Sequence, residues 1–142
     1  DKVKSSLGDV QADFIINSNW QAGMGNTLAT AIKAASSNTR NLQAVLVLLA
    51  DQPRITKSHL LQLVQAYQQK KYQIIATEYP NGGGVPAIFD KSVFSEMMNL
   101  QGDQGARQII RNHTGVGLFV PGDKEVWDID TPDDYKRLLG KD

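Results

Sequence analysis

Asp51 is the first residue placed to do chemistry. It follows directly on Ala44–Ala50, the longest strongly apolar run in the chain. In open α/β sheets, ligands bind just outside the carboxyl ends of the strands, so a carboxylate there faces a crevice rather than the core. Pro53 removes an N–H and turns the chain away from the sheet. Two readings of Asp51 stand side by side. It is a hard-cation ligand that would hold Mg²⁺ against phosphate oxygens, or an ordinary solvated carboxylate that caps the turn. The second candidate is Asp128-Ile129-Asp130-Thr131-Pro132-Asp133-Asp134. Thr131 suits an N-cap, Pro132 the first helical position, and Asp133 and Asp134 the positive end of the helix dipole. Asp128 and Asp130 precede the cap and have no such task. Mg²⁺ commonly takes one or two carboxylates and leaves its other positions to water and phosphate. Asp51 with Asp128, or with Asp130, is a pair of that kind.

Weaker signals lie between these. Gly23-Met24-Gly25-Asn26-Thr27-Leu28 is a glycine-containing turn entering a helix. Backbone N–H groups at a helix start bind phosphate or polar base edges, and glycine admits a ligand closely. The spacing is neither a dinucleotide fingerprint nor a Walker motif, and a plain helix start explains it equally. Gly82-Gly83-Gly84-Val85-Pro86 reads as a mobile loop able to close over a substrate, or as a simple turn. In Gly102-Asp103-Gln104-Gly105-Ala106-Arg107, Asp103 suits an N-cap. Arg107 is either a bidentate clamp for an anion or a surface residue. His59 and His113 have no ligand partners at useful spacing and read as structural or solvated. No HExxH, GxSxG or Cys/His pair is present.

The elements that must position these residues alternate through the first half. Val10–Asn17 predicts a strand. Gly23–Ser36 predicts a helix, with Leu28, Ala31, Ile32 and Ala35 on one face. Ala44–Ala50, apolar without alternation, predicts a strand buried on both faces of a parallel sheet. Thr56 is expected to cap a helix with Leu60, Leu61, Leu63, Val64 and Tyr67 at helical spacing. Gln73–Tyr79 predicts a strand and Pro86–Phe89 a short extended segment. Ser92–Leu100 and Gln104–Asn112 predict helices, Val116–Val120 and Lys124–Asp128 strands, and Thr131–Leu139 a terminal helix. This order is that of βαβ units in an open α/β sheet.

Composition narrows the field. The 142 residues carry 15 Lys+Arg and 15 Asp+Glu, a formal net charge of zero. That balance lacks the basic excess of a nucleic-acid or membrane-surface binder. No Cys is present, which removes disulfides and thiol chemistry and fits a reducing, cytoplasmic setting. No apolar run approaches the roughly 18 residues of a membrane span.

Several segments together resemble a known family. Asn19-Trp20, Gly23-Met24 through Leu28, Leu48-Leu49-Ala50-Asp51-Gln52-Pro53, Gly84-x-Pro86 through Phe89, Gly102-Asp103-x-Gly105-Ala106-Arg107 and Asp128-Ile129-Asp130-Thr131-Pro132-x-Asp134-Tyr135 occur in order. The set is similar to MobA-like nucleotidyltransferases, closest to molybdenum cofactor cytidylyltransferases. The resemblance implies an α/β fold of the GT-A-like, nucleotide-diphospho-sugar transferase type, an open, mostly parallel sheet with flanking helices. It implies Mg²⁺-dependent transfer of a nucleotidyl group from an NTP, CTP favoured, to a phosphorylated acceptor such as molybdopterin, with release of pyrophosphate. A molybdoenzyme or chaperone would receive the product. By the same resemblance Asp51 and Asp128 are catalytic, and Asp51, Asp128 and Asp130 are metal ligands. Gly23, Gly25, Asn26, Thr27 and Gln52 line the nucleotide, and Gly84, Pro86, Asp103 and Arg107 the acceptor. The family's opening strand and glycine-rich loop, of the Leu-Ala-Ala-Gly-x-Ser-x-Arg-x-Gly type, has no counterpart in this sequence. Gly84-Val85-Pro86 stands where Gly-His-Pro is frequent. The expectation is one domain over residues 1–142, short of its first βα unit and inactive alone. Guanylyl transfer, transfer to a sugar or alcohol phosphate, and a non-catalytic nucleotide-binding α/β domain are the alternatives.

Overall fold

A computed structural model describes residues 2–119 and 128–140. Four strands and six α-helices are found among them: α1 (Lys2–Ser6), α2 (Met24–Asn38), β1 (Ala44–Val47), α3 (Lys57–Gln68), β2 (Ile74–Tyr79), β3 (Gly82–Asp90), α4 (Phe94–Met98), α5 (Ala106–Asn112), β4 (Val116–Phe119) and α6 (Pro132–Leu138). The strands form one sheet in the order β1-β3-β2-β4. β3 runs antiparallel to both β1 and β2, and β2 runs parallel to β4. The α/β class expected from the sequence is therefore observed, but the sheet is mixed rather than mostly parallel. The reason is local: Tyr79 and Gly82 leave too short a link for a crossover, so β2 and β3 form a hairpin.

Side-chain alternation divides the core into two layers. Ile74 and Ala76 of β2 and Ala87 and Phe89 of β3 join Ala29 and Ile32 of α2, Met97 of α4 and Ile109 of α5 on one face. Ile75 and Ile88 point the other way and meet Leu63 and Ala66 of α3. β2 and β3 are thus the strands covered on both faces. The Ala44–Ala50 run is not: it is a strand only to Val47, and Leu46, Leu48 and Leu49 are exposed. β1 has a single strand neighbour among the described residues, which explains the difference.

Local chemistry accounts for most boundaries. Thr56 caps α3 by accepting from the His59 amide at 3.2 Å. Thr131 and Asp134 form a reciprocal capping box, with Pro132 in the first turn of α6. Asp103 does not cap α5. Gly105 occupies that position without a side-chain bond, and Asp103 lies two residues upstream in the turn. Val10–Asn17 forms no strand. Phe14, Ile15 and Ile16 are all exposed, so no sheet surface is available to pair this apolar stretch. The segment 91–100 is a 3₁₀ turn leading into the short α4. Residues 120 and 124–127 of the two expected C-terminal strands lie outside the described residues.

Gly82-Gly83-Gly84 is not a loop. It opens β3, with Thr77 opposite Gly84, Glu78 opposite Gly83 and Tyr79 opposite Gly82. The glycines fit because other side chains fill their space. A Cβ on Gly83 would stand 2.6 Å from Ile110 Cγ2, and one on Gly84 would stand 3.0 Å from the Tyr79 ring.

Candidate functional site

Asp51 lies four residues beyond the end of β1, in a turn, half-buried. Its carbonyl accepts from the Ile129 amide at 2.9 Å. That bond brings the segment before α6 against the turn after β1. Asp51 Oδ1 is buried and has no hydrogen-bond partner among the described residues. A buried carboxylate oxygen left bare is costly unless a cation or donor meets it. Next to it, Gln52 is buried and its Nε2 donates to Asp128 Oδ1 at 2.9 Å. Asp128 can only accept there, so the amide orientation is fixed by chemistry. Gln52 Oε1 is then also buried without a partner among the described residues. The turn holding Asp51 and Gln52 and the segment holding Asp128 thus lie against each other, joined by a backbone bond and by the Gln52 amide. Asp130, exposed like Asp128, is not bonded to Gln52; its amide donates to Asp134 Oδ2 at 3.3 Å, which ties its backbone to the α6 cap.

Sequence reasoning missed Tyr79. Its hydroxyl donates to the Val85 carbonyl at 2.6 Å and lies 3.5 Å from Gln52 Nε2. Burial raises the Tyr79 pKa, the Asp128 charge adds to this, and the Gln52 amide and the Arg107 charge oppose it. One signal was available: a tyrosine ending an apolar strand just before three glycines, which leave room for its ring.

Gly84 and Pro86, expected on the acceptor side, are buried in β3. The Val85–Pro86 peptide is cis. The Pro86 carbonyl accepts from Thr77 Oγ1 at 2.7 Å. Thr77 has spent its only hydrogen there, so His59 Nε2, 2.8 Å away, must donate to it. His59 is thus a buried structural residue, and burial lowers its pKa. His113 is structural too, its Nδ1 accepting from the Gly115 amide at 3.1 Å.

Gly23 and Gly25 serve packing. The Gly25 amide donates to the Gly102 carbonyl at 2.8 Å. A Cβ on Gly23 would lie 2.3 Å from Gly102 O, and one on Gly25 2.5 Å from Gln104 O. What approaches these glycines closely is the 101–105 turn. Asn26 and Thr27 face Asn17, whose Nδ2 lies 3.5 Å from Asn26 Oδ1 and 2.9 Å from Thr27 Oγ1. Asp103 and Arg107 border an open cleft of about 310 Å³ with Gln104, Gln108 and Arg111. The Gly25–Gly102 bond sets this cleft beside the start of α2.

Carboxylates such as Asp51 and Asp128 suit an ion that keeps several positions for water and phosphate. Among the described residues, no three His, Cys, Asp or Glu side chains gather as a complete cage. Among them, too, no helix is long and apolar enough to cross a membrane.

Residues 1–116 match the MobA-like NTP transferase domain, which is most of the chain. The chain belongs to that family. The matched span contains Asp51, Gln52, Tyr79, Pro86 and Arg107 and ends before Asp128. Among curated relatives, the chain is 28% identical over 121 residues to the purine catabolism protein PucB of Bacillus subtilis. That alignment covers 83% of this chain and 57% of PucB, so the chain spans little more than half of that relative. Among solved structures, Rv0371c of Mycobacterium tuberculosis superposes with a TM-score of 0.66 at 26% identity, over 79% of this chain and 59% of its own. An Rv0371c homolog from Mycobacterium sp. strain JC1 gives 0.70 at 26%, over 97% and 69%. The fold is shared also with Rv0371c in complex with manganese, with a TM-score of 0.75 at 22% identity, over 99% and 72%.

Proposed function

We propose that this MobA-like chain carries a nucleotidyl-transfer site, in which an NTP gives its nucleotidyl group to a phosphorylated small molecule and pyrophosphate leaves. The observation that carries the reading is Asp51 Oδ1, buried without a partner among the described residues, in a turn joined to the segment of Asp128 by the Ile129–Asp51 and Gln52–Asp128 bonds. Asp51 and Asp128 would hold a divalent cation, Mg²⁺ by preference, which would neutralise charge on the phosphates. Asp130, tied to the α6 cap, is the lesser candidate.

The chemistry needs positioning and charge neutralisation more than a protein nucleophile, and the chain offers no thiol or triad for one. Asn26 and Thr27, with Asn17, present amides and a hydroxyl suited to a base or ribose. Arg107 presents a guanidinium to an anionic acceptor. The sequence resemblance favours CTP as donor and a molybdopterin-type acceptor, in a single cytoplasmic domain. Calorimetry with a panel of NTPs separates CTP from GTP.

The central test is Asp51→Asn. Mn²⁺, the ion in the Rv0371c complex, is a spectroscopic probe that this chain can be titrated with directly. Asp51→Asn should weaken Mn²⁺ binding at least about tenfold while leaving the circular dichroism spectrum unchanged. An unchanged Mn²⁺ affinity removes Asp51 from the site.

A further inference from the structure

We propose that Tyr79 is a positioning residue that couples the carboxylate side of the site to the Val85–Pro86 side. The role rests on the reading of Asp51 and Asp128 as the cation site. The directions of the hydrogen bonds carry the argument. The Tyr79 hydroxyl has one hydrogen, and the 2.6 Å contact to the Val85 carbonyl uses it. Toward Gln52 Nε2, 3.5 Å away, Tyr79 can therefore only accept. The same Nε2 donates to Asp128 Oδ1 at 2.9 Å. One amide group thus stands between a carboxylate and a phenol, and the phenol holds a backbone carbonyl of β3.

The far end of this chain of bonds is anchored. The next carbonyl, that of Pro86, is held by Thr77, and Thr77 by His59 of α3. Neighbouring carbonyls of one buried segment are therefore each fixed by a hydroxyl. Gly84 lets the Tyr79 ring lie flat against β3, its missing Cβ 3.0 Å from Cε2. A ring so seated has little freedom, so Gln52, and Asp128 through it, take their position from the sheet rather than from the separate segments they occupy. The Asp128 oxygen not used by Gln52 is then presented in one orientation, which is what pre-organised ligation needs.

The test is Mn²⁺ titration, followed by electron paramagnetic resonance, of the whole chain and three variants. Tyr79→Phe keeps the ring and removes both bonds. Gln52→Met keeps the length and removes the amide. Each should weaken Mn²⁺ binding about three- to tenfold, with unchanged circular dichroism. The double variant should be no weaker than the worse single one, because both cut the same connection. A residue that merely supports the fold would give additive effects, and additivity overturns the proposal. If Tyr79→Phe does not fold, Gln52→Met alone decides, and wild-type affinity there overturns it. Wild-type affinity in Tyr79→Phe, with Asp51→Asn weakened, overturns the Tyr79 role alone. Wild-type affinity in Asp51→Asn overturns the cation reading and this role with it.

Discussion

Tyr67 and Asp90 show how one hydrogen bond sets a pH dependence. The Tyr67 hydroxyl donates to Asp90 Oδ2 at 2.6 Å, joining α3 to the end of β3. Burial, and then this bond, push the Tyr67 pKa up to about 12. Burial also tends to raise the Asp90 pKa, but bonds from Tyr67 and Ser92 outweigh it, and the net shift is downward. The signs follow by linkage. Asp90, lowered in the folded state, adds stability above the ordinary carboxylate range, and that stability is lost as pH falls through the folded value. Tyr67, raised, adds stability that is complete below its ordinary value of 10.0 and is lost as pH rises toward about 12. Tyr67→Phe should cost about 1 kcal/mol at neutral pH. The gap to wild type should narrow as pH falls below the ordinary carboxylate range, where Asp90 takes up its proton. Urea melts at neutral and acid pH check this, and a gap independent of pH would refute it.

At the scale of elements, Gly25 shows how a residue with an apparent ligand-binding purpose is fixed by packing. Its α-carbon touches the 101–105 turn, and an added Cβ would meet the Gln104 carbonyl at 2.5 Å. Because that neighbour is backbone, it cannot rotate away. Gly25→Ala should therefore destabilise by about 1–3 kcal/mol, read as a lowered thermal midpoint. A midpoint within a degree of wild type would show that the turn yields freely. The same contrast explains what the sequence made legible. α2, α3 and α6 could be read because their signals are local: apolar residues at helical spacing, and the caps Thr56 and Thr131. Asp51 could be singled out because it directly follows the longest apolar run, and Asp128 because it precedes the cap that accounts for Thr131 to Asp134. The Gly82–Gly84 strand could not, since what fills its missing side chains comes from Tyr79, Ile110 and Leu118. Nor could Tyr79, whose role depends on a hairpin that the expectation of a parallel sheet excluded. The Ala44–Ala50 run was apolar enough for a central strand but has a strand on one side only among the described residues.

At the scale of the whole molecule, that same run governs behaviour in solution. β1 presents an outer edge to which no described strand is paired, and Leu46, Leu48 and Leu49 lie exposed along or just beyond it. Such edges recruit other chains, and a formal net charge of zero offers little repulsion to prevent it. The 142-residue chain should associate as its concentration rises, and Leu48→Lys should reduce this. Sedimentation that is concentration-independent for wild type would refute the expectation. The bond between Gln52 and Asp128 joins positions 76 apart. Closing a loop of that length is slow relative to pairing neighbouring strands. The Ile129 amide, which closes the same loop on Asp51, should accordingly exchange with solvent faster than that of Ile75 in the sheet; equal protection would refute this. During synthesis, β1, β2 and β3 are complete by Asp90, well before Asp128 is added to the chain. The three strands are thus made before the segment that carries Asp128, so the two carboxylates proposed to hold the cation could meet only late in synthesis.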